Sequence, residues 1–81
     1  MAVSLSDLTP TDKAIVLAYA QANMRCTIAS KLTQYSLTNI DYHLLKVKSL
    51  TGLDPKRFND LAMLVNAINE ERKMYDEGRE D

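Results

Sequence analysis

Apolar positions recur at three- and four-residue intervals in four stretches of the chain, and each stretch is bounded by residues that start or stop helices. In the first, Ile15, Ala18, Tyr19 and Ala22 form one stripe that Val16, Leu17 and Ala20 widen. Thr9 can cap this segment through its hydroxyl, with Leu8 ahead of the cap, Pro10 at the first helical position and Asp12 where a carboxylate meets the positive helix end. The pattern predicts helix 1 over about residues 10–23. Thr27 is the expected cap of a short helix 2 that places Ile28, Ala29 and Leu32 on one face, and Tyr35-Ser36 interrupts its period. Leu37, Ile40, Leu44 and Val47 then repeat that face in helix 3, expected over about residues 38–51. Gly52 stops it by taking the left-handed conformation that ends a helix. Asp54 is the expected cap of helix 4, with Pro55 at its first position and Phe58, Leu61, Ala62, Val65 and Ile68 as its apolar face.

Two short helices meeting at a glycine-free junction form the pattern of a helix-turn-helix. The expected architecture is therefore all-α: a four-helix domain with a tri-helical core that contains the helix-turn-helix, plus a C-terminal helix. Its core spans about residues 9–69, and residues 1–8 and 70–81 are expected to fray. Composition agrees with helices, because only 2 of the 81 residues are Gly and 2 are Pro, while 46% are hydrophobic. A chain this long makes one domain near the lower size that folds without staples. No apolar run approaches a membrane span, and the first five residues lack the basic and apolar regions of a signal peptide. The expectation is a soluble cytoplasmic protein with no membrane partner. Cys26 is the single cysteine, which excludes an internal disulfide and a cysteine-based metal site.

Charge is unevenly distributed. Residues 25–57 carry six basic side chains, Arg25, Lys31, Lys46, Lys48, Lys56 and Arg57, against Asp41 and Asp54, a net +4. The segment before it is net −1, and residues 58–81 carry seven acidic against three basic residues, a net −4. Positive charge is thus concentrated on the helix-turn-helix, where it would steer phosphate toward double-stranded DNA with modest, salt-dependent affinity.

Helical geometry selects the side chains that would read DNA. With Ile40, Leu44 and Val47 inward, steps of about 100° put Asn39, Tyr42, His43 and Lys46 on a single flank of helix 3. Asn39 suits adenine, Lys46 guanine or phosphate, Tyr42 a phosphate or a thymine methyl, and His43 either polar role. Tyr42 has a second reading as a ring packed across the helix 2–helix 3 junction, and His43 a second reading as an ordinary surface residue. Thr27, Lys31, Thr38 and Ser36 are the expected phosphate contacts, at helix starts where anions are favoured.

The segment from Ala18 to Val65, about 48 of the 81 residues, resembles the C-terminal helix-turn-helix of PucR-type (purine-catabolism) transcriptional regulators and of small stand-alone relatives in Firmicutes and their phages. The residues that carry the resemblance are Asn23-Met24, Ile28-Ala29, Leu32, Tyr42-His43-Leu44, Lys46-Val47, Thr51-Gly52-Leu53-Asp54-Pro55, Phe58, Asp60-Leu61 and Leu64. The Thr-Gly-Leu-Asp-Pro run is the most specific of them. What the resemblance implies is sequence-specific DNA binding in gene regulation, with helix 3 in the major groove. The chain departs from the family where a His-Arg-Asn-Thr type cluster would enter helix 3: Ser36-Leu37-Thr38-Asn39 stands there, so Leu37 replaces the basic residue. The large sensory region that precedes this module in full-length regulators is also not found in these residues, so an effector response is expected to come from elsewhere.

Leu37 and the acidic last helix favour an alternative, a non-enzymatic interaction module with a helix-turn-helix fold that has lost DNA binding. Enzymatic function is not expected: there is no glycine-rich phosphate loop and no Ser/His/Asp set, and no cofactor or metal is implied. One short recognition helix buries little surface, so a homodimer on paired half-sites is expected, joined through helix 4 at Met63, Leu64 and Ala67 and extended by Met74-Tyr75. The alternative is that Met63 and Leu64 cover helix 1 within one subunit.

Overall fold

The computed structural model describes the backbone of residues 5–79 and the surroundings of side chains through residue 72. Four helices are present among them: α1 Pro10–Gln21, α2 Cys26–Thr33, α3 Leu37–Thr51 and α4 Phe58–Arg79. The expected fraying of residues 1–4, 80 and 81, and the Met74-Tyr75 dimer edge, lie outside what is described.

Helix α1 is the hub, packing against each of the other three, while α2 also packs on α3. Among the described residues α4 touches only α1 of the other helices. The two run antiparallel: Lys13 near the start of α1 pairs with Glu71 at 2.7 Å, and Asn23 and Met24 just past its end lie beside Phe58. Ile15, Val16, Tyr19 and Ala22 meet Ala29 from α2, Ile40, Leu44 and Val47 from α3, and Leu61, Leu64 and Ile68 from α4 in one core. Leu5 and Leu8 join it, so the segment ahead of α1 is packed down where fraying was expected.

Local chemistry explains the helix ends. Thr9 accepts from the Asp12 N–H while the Asp12 carboxylate accepts from the Thr9 N–H, a reciprocal capping box with Pro10 behind it. Past α1, Asn23 and Met24 take positive φ of 55° and 65°, and the Met24 N–H donates to the Tyr19 carbonyl while Asn23 donates to Ala20. That is a Schellman closure built without glycine. Helix α3 opens at Ser36, whose hydroxyl accepts from the Asn39 N–H at 3.1 Å, and ends at Gly52 with φ of 79°.

Several expectations are corrected. Helix α2 starts at Cys26 behind an Arg25 cap that makes no side-chain hydrogen bond, so Thr27 lies inside the first turn. Only Ala29 of α2 is buried; Ile28 and Leu32 are exposed, as is Leu37 on α3. An eight-residue helix set across α1 needs only one small side chain at the crossing, which leaves its larger neighbours outside. Helix α4 starts at Phe58, four residues after Asp54, because Asp54 and Pro55 are used in a turn. The Asp54 carboxylate accepts from the Lys56 N–H, its carbonyl accepts from Arg57, and the Asp60 carboxylate reaches back to the Asp54 N–H. Phe58 is 72% exposed, and Leu64 takes its place in the core with no exposure at all. Leu64 therefore has no surface to offer a second subunit, which removes it from the expected dimer edge; Met63 is exposed and Ala67 half-buried. The α4 backbone continues to Arg79, beyond the expected end of order near residue 69.

Candidate nucleic-acid interface

Helices α2 and α3 are joined by the three-residue turn Gln34–Ser36. Gln34 takes the left-handed conformation, φ 66°, and its N–H donates to the Ser30 carbonyl, which reverses the chain. The Ser30 hydroxyl donates to the Tyr35 carbonyl and the Thr33 hydroxyl accepts from the Tyr35 N–H, so α2 side chains hold the turn. Ile40, Leu44 and Val47 turn one side of α3 to the core and leave the other open. The open row is Thr38, Tyr42, Leu45 and Ser49, all exposed, with Tyr42 at 59% and Leu45 at 54%.

The four residues expected to read bases do not share one environment. Tyr42 is outward, so its ring does not fill the helix junction; it stands edge-on to His43 with centroids 5.2 Å apart. Asn39 is half-buried at the edge of the open row. His43 and Lys46 slope toward the N-terminus of α1, where both meet Asp12. His43 Nδ1 lies 2.6 Å from Asp12 Oδ1, and Lys46 Nζ lies 3.1 Å from Oδ2. Their side chains are only 14% and 31% exposed, and Asp12 has no exposure.

Asp12 is the residue that sequence reasoning assigned too small a role. Its spacing from Thr9 shows the capping box, but the two α3 partners come from 31 and more residues away. The only signal for them is that His43 and Lys46, three apart, share one side of α3. Burial pushes the Asp12 pKa up, yet the hydrogen bonds from His43, the Thr9 N–H and Lys46, together with the Lys46 charge, outweigh it and hold the carboxyl below its ordinary value. Asp12 is thus ionised at neutral pH and carries three donors.

Ion pairing thins the positive charge. Besides Lys46, Lys48 approaches Asp54 at 3.8 Å and Lys56 pairs with Asp41 at 2.6 Å. Among the described residues Arg25, Lys31 and Arg57 form no ion pair, and Arg25 and Lys31 bracket the exposed Thr27 on α2. Thr38 is exposed at the start of α3, and the exposed Ser36 hydroxyl accepts the cap bond from the Asn39 N–H. Arg25 and Leu45 are thus surface features that the periodicity had not singled out.

No helix among the described residues is long and apolar enough to cross a membrane, and no group of three or more His, Cys, Asp or Glu there could hold a metal ion. Comparison with models of protein families, with curated proteins and with solved structures gives no match.

Proposed function

We propose that this chain is a sequence-specific DNA-binding regulator of transcription that lays α3 in the major groove. The observation that carries the reading is the open row Thr38, Tyr42, Leu45 and Ser49 on a helix entered through a three-residue turn from α2. Hydroxyls and a phenol suit base edges and phosphates, and Leu45 suits a thymine methyl. Arg25, Thr27 and Lys31 supply phosphate contacts from α2, with Lys48 at the far end of α3. The likeness to PucR-type helix-turn-helix domains over residues 18–65 belongs to this proposal, as do a cytoplasmic location and a non-enzymatic role. A homodimer would bring two such helices to half-sites one helical turn apart. Met63 is the exposed apolar residue left at its expected edge on α4.

Fluorescence anisotropy with mixed-sequence duplex DNA across a salt series tests the proposal. Binding should weaken as salt rises, and Lys31→Ala and Arg25→Ala should each reduce the salt slope by about one. Asn39→Ala should change sequence preference with little loss of affinity for mixed DNA.

A second reading has its own observation. Ile28, Leu32, Leu37, Tyr42, Leu45 and Leu50, six exposed large apolar side chains, all sit on α2 and α3. That density suits a protein surface better than phosphate. Absence of duplex binding at low salt by the folded chain would favour this interaction module.

A further inference from the structure

His43 is held through one ring nitrogen and leaves the other without a partner. Its Nδ1 is taken by Asp12 Oδ1 at 2.6 Å, the Tyr42 ring stands edge-on beside it, and the Tyr35 ring lies 6.5 Å away across the turn. Lys46 is the other charged group at this point, on the far oxygen of the same carboxylate. The described residues include no buried side-chain nitrogen or oxygen without a partner, and His43 Nε2 has no partner. Nε2 is therefore not fully buried, in a side chain 14% exposed on the flank of α3 that slopes from the open row toward α1. An ionised carboxylate only accepts, so the proton of the neutral imidazole sits on Nδ1 and Nε2 is left as an acceptor.

We infer that His43 is a specificity-determining residue whose Nε2 accepts from the exocyclic amino group of adenine or cytosine, and that Asp12 is the positioning residue that sets this sense. The inference rests on the DNA-binding reading and deepens it. Guanine N7 and O6, thymine O4 and phosphate oxygens are all acceptors, so a neutral His43 oriented in this way rejects them.

Substitution of Asp12 provides a directed test because its two oxygens have different loads. Oδ2 receives both the Thr9 N–H at 3.0 Å and Lys46 Nζ at 3.1 Å, whereas Oδ1 receives only His43. In Asp12→Asn the amide oxygen belongs on the side with two donors, which points the amide NH2 at His43 Nδ1. The ring must then accept at Nδ1 and carry its proton on Nε2. One substitution converts Nε2 from acceptor to donor without touching the DNA-facing surface.

The chain has 1 histidine, so long-range proton–nitrogen NMR of the imidazole reads the tautomer without ambiguity. Without DNA, the neutral ring should be the Nδ1–H tautomer in the wild type and the Nε2–H tautomer in Asp12→Asn. On saturation with a duplex, the wild-type Nε2 signal should shift. In a panel varied one base at a time, Asp12→Asn should reverse the amino-over-carbonyl preference at one position by about tenfold. A wild-type Nε2–H tautomer overturns the inference, and so does DNA binding that leaves Nε2 unmoved. A protein with the Nδ1–H tautomer that binds no duplex at low salt overturns the DNA-binding reading and the base contact with it, while the orientation by Asp12 stands. If Asp12→Asn does not fold, the wild-type tautomer and the Nε2 shift decide.

Discussion

Asp12 Oδ1 and His43 Nδ1 lie 2.6 Å apart, which ties the first turn of α1 to the middle of α3. The same carboxylate closes the cap of α1 and holds Lys46. One fully buried side chain therefore sets a helix start, the approach of a second helix and the direction of an imidazole.

Asp12→Ala should be the most damaging polar substitution in the chain. It leaves two α3 donors facing a carboxylate-sized gap and strips the α1 cap. Because His43 and Lys46 retain some solvent access, the expected loss is about 2–3 kcal/mol, below that of a wholly buried pair. Urea unfolding checks it, and a loss under about 0.5 kcal/mol would show that the network is not supporting the fold.

The depressed pKa of Asp12 fixes a direction for acid stability. Its folded pKa lies below its unfolded one, so its stabilisation is fully present above the ordinary aspartate value of about 3.9 and is lost as pH falls through the folded value. Denaturation midpoints should thus drop below pH about 4 in the wild type. In Asp12→Asn this part of the pH dependence should be missing, with a lower midpoint at neutral pH.

Leu64 and Met63 should separate core from surface. Leu64→Ala removes a fully buried side chain between α4 and α1 and should cost about 3 kcal/mol. Met63→Ala should stay within about 0.5 kcal/mol in the monomer. If α4 joins two copies, light scattering will show that Met63→Ala weakens the dimer; equal masses at every concentration would place any dimer contact elsewhere.

The left-handed residues that end α2 and α3 respond in opposite directions. A Cβ at Gly52 meets no atom within 4 Å, so Gly52→Ala has only the cost of φ 79°, about 1 kcal/mol. Gln34, already at φ 66° and exposed, should be stabilised by Gln34→Gly by a few tenths to about 1 kcal/mol. Thermal melts of the two variants measure both signs.

Much of this architecture was legible because it is local. Thr9, Pro10 and Asp12 mark the start of α1, and Gly52 marks the end of α3, through contacts within four residues. The apolar stripes of α1 and α3 likewise locate Ile15, Tyr19, Ile40, Leu44 and Val47. What periodicity cannot supply is the side from which a neighbouring helix arrives. Ile28 and Leu32 share a face with Ala29, yet a close crossing buries Ala29 alone. Phe58 and Leu64 both fit a helical stripe, and only the onset of α4 after the Asp54–Arg57 turn decides which is covered. The partnership of Asp12 with His43 and Lys46 joins α1 to α3 across more than 30 residues, so no local signal announces it. That long-range tie divides the expected reading flank, leaving Tyr42 and Asn39 toward the open row and turning His43 and Lys46 toward Asp12 at the start of α1.

The most direct test of α3 as a DNA-reading helix is amide NMR mapping of the folded protein titrated with duplex DNA at low salt. Shifts should concentrate from Arg25 to Lys31 and from Ser36 to Ser49, strongest along Thr38, Tyr42, Leu45 and Ser49. Shifts centred on the groove between α1 and α4 around Met24, Phe58 and Val65, or none at all, would contradict it.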